Sequence, residues 1–215
     1  MSSAGGHRPD PGEVISAEHF RRRGTDWWDP DEALWRRRFD DPTLRLLEKV
    51  RPGRLLEIGI GRGRLLERLA LLAPKVCGVD VNPEFIAICR SRLEEKGLAV
   101  ELIEASVDSL PFGDRDFDAV VSVEAFMHFP DQRGALAEIA RVLKPGGFLV
   151  MSFIDRASWH GLLFRLRLRL GLYKHTVDFR HNAWRDVRDM AGAAGLKILG
   201  KGKGSHPLVW MEKPG

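Results

Sequence analysis

A doubly wound α/β fold is what this sequence predicts, and three observations predict it. Short apolar runs alternate with segments of helical spacing, glycines cluster where the first run ends, and the run Phe117 to Val123 is almost continuously apolar. Alternation of strand and helix implies parallel strands joined by right-handed crossovers. A strand with no polar alternation is one covered on both faces.

The elements follow in order. Pro52-Gly53 is a turn signal, and Arg54 to Gly59 is a short strand. Leu65, Leu66, Leu69 and Leu72 then recur at helical spacing. Lys75 to Asp80 is a second strand. Asn82 is an N-cap with Pro83 at the first helical position, opening a helix to Lys96 whose apolar face is Phe85, Ile86, Ile88, Cys89 and Leu93. A third strand covers 99–103, and Phe117 to Val123 is the fourth. Asp131 to Leu143 is a helix stopped by Pro145-Gly146-Gly147, and Phe148 to Ile154 is the fifth strand. Trp184 to Ala194 is helical, and Leu196 to Leu199 and Pro207 to Met211 complete seven strands. The helix–strand–strand ending predicts an antiparallel hairpin at one edge of a mostly parallel sheet.

Three zones are expected: a disordered tail at 1–13, a helical cap rich in Trp and Arg at 14–50, and a domain at 51–215 with a cap-like insertion at 155–180. The N-terminus has no apolar signal core, and no apolar run approaches the ~18 residues of a membrane span. A cytoplasmic chain without a transmembrane segment is therefore expected. Cys77 and Cys89 form no C-x-x-C pair, so they are expected to be buried free thiols, with no metal site. The net charge of +4 permits nucleic-acid binding without arguing for it.

The chemistry centres on Glu57-Ile58-Gly59-Ile60-Gly61-Arg62-Gly63, where a strand turns into a helix. In an open α/β sheet, ligands bind outside the C-terminal strand ends at the point where strand order reverses. Glycines there allow a tight turn and close approach of a ligand, and free N–H groups at the helix start suit a negative group. The dinucleotide fingerprint G-x-G-x-x-G fails because its third glycine falls on Arg64, and no Gly-Lys-Ser/Thr follows to make a P-loop. Asp80 closes the next strand, where a carboxylate can accept from vicinal ribose hydroxyls.

With these features the chain resembles the class I S-adenosylmethionine-dependent methyltransferases, specifically the methyltransferase type 11, ubiquinone-biosynthesis-like group. Further stretches carry the likeness: Ser109-Leu110-Pro111-Phe112 with Asp116 to Ser122, then Phe126-Met127-His128-Phe129, then Arg141 to Val150. It runs over 52–154 and more loosely through Ala194-Gly195-Leu196. The resemblance implies a Rossmann-like sheet and S-adenosyl-L-methionine as cofactor. It implies Glu57 near the cofactor's amino group, Gly59, Gly61 and Gly63 under its methionine and ribose, and Asp80 on the ribose hydroxyls. Val81 would pack on the adenine, Ser106 and Val107 would border its edge, and the Val123 backbone would face the amino-acid part. The family commonly has Asp where this chain has Ser106; Asp108 is a possible substitute.

A bound sulfonium already carries an activated methyl, so alignment and exclusion of water are the main demands on the protein. His128, after the fourth strand, is the candidate base for an oxygen or nitrogen acceptor, with Glu124 a weaker one. His160, His175 and His181 lie in the insertion region at irregular spacing. Trp27, Trp28, Trp35 and Phe39 are either a helix packing on the sheet or a lid, and Trp159 to Lys174 is either a cover for the acceptor or a packed basic amphipathic segment. The expected activity is in-line methyl transfer to a small molecule. The alternatives are a nucleic-acid methyltransferase, against which Ser122-Val123-Glu124-Ala125 stands in place of a base-gripping Pro-Pro motif, and a catalytically silent cofactor-binding scaffold. Oligomeric state is not legible.

Overall fold

A computed structural model describes residues 32–158 and 180–215, together with 162, 163 and 166 between them. The expected tail, Trp27, Trp28, His160 and His175 lie outside the described residues, as does most of the insertion.

Near the N-terminus, α1 (Glu32–Trp35), a π-helical stretch (Arg36–Asp40) and α2 (Asp41–Val50) run on from one another. Then come β1 (Arg54–Ile58), α3 (Arg64–Ala70), β2 (Lys75–Asp80), α4 (Pro83–Glu95), β3 (Glu101–Glu104) and β4 (Phe117–Ser122). A 3₁₀ turn (Phe126–His128) leads to α5 (Gln132–Val142) and β5 (Leu143–Ser152). Last come β6 (Ile154–Asp155), β7 (His181–Asn182), α6 (Trp184–Ala193), β8 (Lys197–Lys201) and β9 (Leu208–Glu212).

The main sheet has seven strands in the order β3-β2-β1-β4-β5-β9-β8. All pairs from β3 to β5 are parallel, while β9 runs antiparallel to both β5 and β8. This is the expected mostly parallel sheet with an antiparallel hairpin at one edge. Strand order reverses between β1 and β4, which puts the glycine turn at the switch point. Successive residues of β1 serve opposite faces: Leu55 packs with α2, α3 and α4, and Leu56 with α5 and α6.

Local chemistry accounts for the boundaries. Asn82 Oδ1 accepts from Glu84 N at 2.9 Å, with Pro83 behind it, so α4 starts where capping and a fixed φ dictate. Asp131 Oδ1 accepts from the N–H groups of Arg133 and Gly134 to open α5. One boundary differs from expectation. β5 begins at Leu143, not Phe148, because Leu143 already pairs with Phe117; the ladder resumes at Ala119 with Phe148, and Lys144 to Gly147 form the irregularity between. The small parallel pair β6–β7 was not expected, being two residues long on each strand.

Arg141 ties the loop after β3 to α5. Its guanidinium donates to the Leu110 and Phe112 carbonyls and to Asp114 and Glu138, and Glu138 in turn accepts from Leu110 N at 3.1 Å. The Arg141 hydrogen bond holds the Glu138 carboxyl below its ordinary range. Ionised Glu138 is thus favoured by folding, so its contribution is complete above the ordinary carboxylate range and is lost as pH falls through the lowered value. Urea midpoints measured against pH should decline less steeply on the acid side in Glu138→Gln than in the native chain; parallel acid limbs would exclude this role.

Candidate functional site

At the C-terminal end of the parallel strands the sheet carries a cavity walled by the turn after β1, the ends of β2 and β4, and the segments after β3 and β4. Glu57, Gly59, Gly61, Asp80, Val81, Ser106, Val107, Val123 and His128 all line it.

The turn after β1 is hung on β2. The N–H groups of Gly59 and Ile60 both donate to Val79 O, and Gly61 N donates to Asp80 Oδ2 at 3.0 Å. Gly59 has φ +76, and a Cβ there would lie 2.4 Å from that of Ala125. Gly61 has φ +51, and a Cβ there would meet nothing within 4 Å, so its outer side is open. Gly63 serves packing: it does not line the cavity, and at φ +79 its missing Cβ makes room for Cys89 Sγ at 2.7 Å. Cys89 donates in turn to Gly61 O at 3.2 Å, which fastens α4 beneath the turn.

Asp80 uses one oxygen for Gly61 N and the other for Asn82 N at 2.9 Å. Desolvation raises its pKa against these backbone hydrogen bonds. Val81 adds a further backbone hydrogen bond, and the two oxygens together keep acceptor capacity beyond these contacts. Ser106 Oγ donates to Asp108 Oδ2 at 3.0 Å and accepts from Asp108 N at 3.3 Å, while Asp108 is exposed and off the cavity wall. The Ser106 hydrogen is therefore engaged outward.

Glu57 is the most demanding group. It is 3% exposed, and its Oε2 has no hydrogen-bond partner among the described residues. Burial pushes its pKa well above the ordinary range; nearby Arg64 opposes this, while Asp40 and Asp80 add to it. A buried carboxylate oxygen facing a cavity without a partner is a ready acceptor for an ammonium group. Together with the open side of Gly61 and the acceptor capacity of Asp80, this set suits a ligand that carries both an ammonium group and vicinal hydroxyls, the chemistry of S-adenosylmethionine, with Val81 and Val107 as apolar wall.

Several wall residues were not anticipated. Arg64, at the first position of α3, lines the cavity and pairs with fully buried Asp40 of the π-helical stretch; Arg68 bridges to Asp41 at 2.7 Å. The Arg64 guanidinium also lies over the Trp35 ring, 5.6 Å from its centroid. The described part of the N-terminal segment thus packs on the sheet through Phe39, Leu44 and Leu47 and reaches the cavity rim through Asp40 and Arg64. Phe85, Phe129 and Pro130 complete the apolar wall.

His128 ends the 3₁₀ turn, with its N–H on Ala125 O at 2.9 Å, and faces the cavity. His181 lies in β7 and does not line it. Glu124 does, at φ +58, a conformation uncommon for a residue with a long side chain. Ser152 Oγ accepts from Glu124 N at 2.7 Å and donates to Glu124 Oε1 at 2.8 Å; Glu124 Oε2 meets His206 Nδ1 at 2.9 Å. No group of metal-ligating side chains occurs among the described residues, and no helix among them is long and apolar enough to cross a membrane.

The strand order and the glycine-walled cavity at its switch point define a doubly wound α/β domain with a ligand site at its strand ends. Residues 56–151 match the family described as a methyltransferase domain. It is 44% identical over 122 residues to a demethylmenaquinone methyltransferase of Thermus thermophilus, covering 56% of this chain and 54% of that one. It is 33% identical over 146 residues to a ubiquinone biosynthesis O-methyltransferase of Xanthomonas oryzae, covering 65% and 60%. The chain therefore spans less than two thirds of either relative's length. A crystal structure of magnesium protoporphyrin IX methyltransferase from Synechocystis with bound SAH superposes with a TM-score of 0.75 at 17% identity, covering 92% of this chain and 97% of that one, and shares the fold.

The two inner glycines should respond differently to alanine. Gly61→Ala meets only the left-handed backbone and should cost about 1–2 kcal/mol. Gly59→Ala adds the collision with Ala125 and should cost about 2–5 kcal/mol. Equal urea midpoints for the two variants would contradict the packing described.

Proposed function

We propose that this protein is an S-adenosylmethionine-dependent methyltransferase that transfers the methyl group in line to a small-molecule acceptor. The observation that carries the reading is the buried Oε2 of Glu57, without a partner among the described residues, beside the Asp80-clasped glycine turn. The family of residues 56–151 supports the class of reaction, and the two relatives named for quinone biosynthesis support an apolar, ring-bearing acceptor.

When bound, S-adenosylmethionine supplies an activated methyl group on a sulfonium sulfur. The chain's own residues do the rest. Glu57 and Asp80 orient the two ends of the ligand, so that the reacting end is presented past Val123 and Ala125 at the end of β4. Phe85, Phe129 and Val107 keep water from the cavity wall. Well-aligned reactants can lower a barrier by about 7–11 kcal/mol without any covalent step. The domain division, with 14–50 as a cap and 155–180 as an acceptor cover, belongs to the same proposal; docking of Asp40 on Arg64 supports the first part.

Calorimetric titration with S-adenosylhomocysteine tests the site, and methyl-labelled S-adenosylmethionine with a panel of small phenols, amines and thiols tests the reaction. Asp80→Ala removes a charge-assisted acceptor and should weaken S-adenosylhomocysteine binding about ten- to a hundredfold. Undiminished affinity would remove Asp80 from the ribose. Glu57 must be ionised to receive an ammonium group, and its pKa is raised. Affinity should thus fall as pH drops below that raised value, and Glu57→Gln should bind more weakly with a flatter pH dependence. A native titration independent of pH would separate Glu57 from the amino group.

A further inference from the structure

Three arginines stand on the cavity wall: Arg62, Arg64 and Arg92. Arg92 is committed to Glu67 of α3, whose Oε1 accepts from its Nε at 2.7 Å. Of the three, Arg64 is the one whose charge acts on the Glu57 carboxyl. The N-terminal segment anchors its guanidinium from two sides. Asp40, whose side chain has 0% exposure, takes Nη1, and the Trp35 ring lies under the guanidinium carbon. Arg68 approaches the other Asp40 oxygen at 3.8 Å and binds Asp41 at 2.7 Å, so the anchor is itself braced.

An α-amino acid carries its ammonium and its carboxylate on one carbon. A site that fixes the first therefore fixes where the second falls. The wall offers a matching pair: Glu57, with an oxygen that has no partner among the described residues, and Arg64 within reach of it. A guanidinium has five N–H donors in a planar fork. Asp40 uses Nη1 and leaves further donors on a side chain that lines the cavity. Exchange of Asp40 for the ligand would strand a fully buried carboxylate with Arg68 at 3.8 Å as its remaining cation, which is strongly unfavourable. Sharing of Arg64 by two anions is the cheaper arrangement. Its orientation is then set by Asp40 in the plane and Trp35 on the face.

We propose that Arg64, positioned by Asp40 and Trp35, receives the carboxylate of the ligand's amino-acid end while Glu57 receives the ammonium, so that the N-terminal segment makes the site selective for an intact α-amino acid. This rests on the methyl-transfer reading and adds a ligand preference to it. Arg64 touches the ligand; Asp40 and Trp35 act through Arg64. A decarboxylated donor has the same nucleoside, sulfur and methyl group, so its chemistry is no different. What it lacks is the anion for Arg64, and discrimination against it lies in binding. The nucleoside half is held separately, at Asp80 on the far side of the glycine turn. Ligands that carry the nucleoside without the amino-acid end therefore bypass the N-terminal segment.

The probes are three nucleosides titrated calorimetrically into the full chain. They are S-adenosylhomocysteine, its analogue lacking only the carboxylate, and methylthioadenosine, which lacks both amino-acid charges. The native chain should bind S-adenosylhomocysteine about ten- to a hundredfold more tightly than the decarboxylated analogue. In Arg64→Gln that ratio should collapse to about threefold or less, with methylthioadenosine affinity held within about twofold. Arg64→Lys, which keeps the charge and loses the fork, should recover part of the ratio. Asp40→Ala should lower the ratio and Asp40→Asn, which keeps an oxygen for Nη1, should restore part of it; Trp35→Leu tests the same anchor without touching a buried charge. Four results overturn different statements. Native protein that binds none of the three removes the methyl-transfer reading itself. Equal native affinity for S-adenosylhomocysteine and its decarboxylated analogue leaves that reading standing and removes the carboxylate subsite. Arg64→Gln that weakens all three alike makes Arg64 structural. Tighter S-adenosylhomocysteine binding in Asp40→Ala makes Asp40 a competitor for Arg64 and removes its positioning role.

Discussion

Parallel strands end with N–H groups that the next turn must satisfy, and this chain satisfies those of β1 from β2. Gly59 and Ile60 donate to the Val79 carbonyl, and Gly61 donates to the Asp80 carboxylate. A turn built on left-handed glycines has little stiffness of its own. Its shape is imposed by the neighbouring strand and, below it, by Cys89 against Gly63. Asp80 is therefore the clasp of the turn, and a substitution there acts on that backbone before it acts on anything the carboxylate holds. The positions of Glu57 and Val123 follow, because β1 pairs in register with both β2 and β4.

A second constraint couples the N-terminal segment to this turn. A π-helical stretch places Phe39 and Asp40 side by side in the interior, the one in the apolar cluster and the other against Arg64. Interruptions of this kind are often found at functional sites, where one extra residue re-aims a side chain. Here the re-aimed side chain is a carboxylate whose pKa burial raises and Arg64 lowers. The helix and the cavity rim thus share one buried ion pair, and neither partner can be removed without leaving the other uncompensated.

What was legible in the sequence was what short-range patterns encode. Apolar runs and the Asn82–Pro83 cap placed the elements, and their alternation gave the parallel sheet with its edge hairpin. The wall residues Glu57, Gly59, Gly61, Asp80, Val81, Ser106, Val107, Val123 and His128 were legible through a family pattern confined to contiguous motifs. Gly63 belongs to the same motif yet serves packing, a distinction that only the position of Cys89 reveals. The start of β5 was missed because Pro145-Gly146-Gly147 reads as a break, whereas the ladder carries it as an irregularity. Asp40–Arg64 and Glu124–His206 were missed for another reason. Their partners lie 24 and 82 residues apart, and no local periodicity links such positions.

The lone oxygen of Glu57 has a bearing on the life of the protein outside its reaction. A buried carboxyl oxygen without a partner among the described residues is a penalty on the folded chain. Any cation that relieves it adds to the free energy of folding in proportion to the logarithm of its concentration. On the methyl-donor reading, resistance to unfolding, and with it escape from proteolysis, is tied to the supply of that nucleoside. Scarcity would thin the population of intact molecules as well as slow each one.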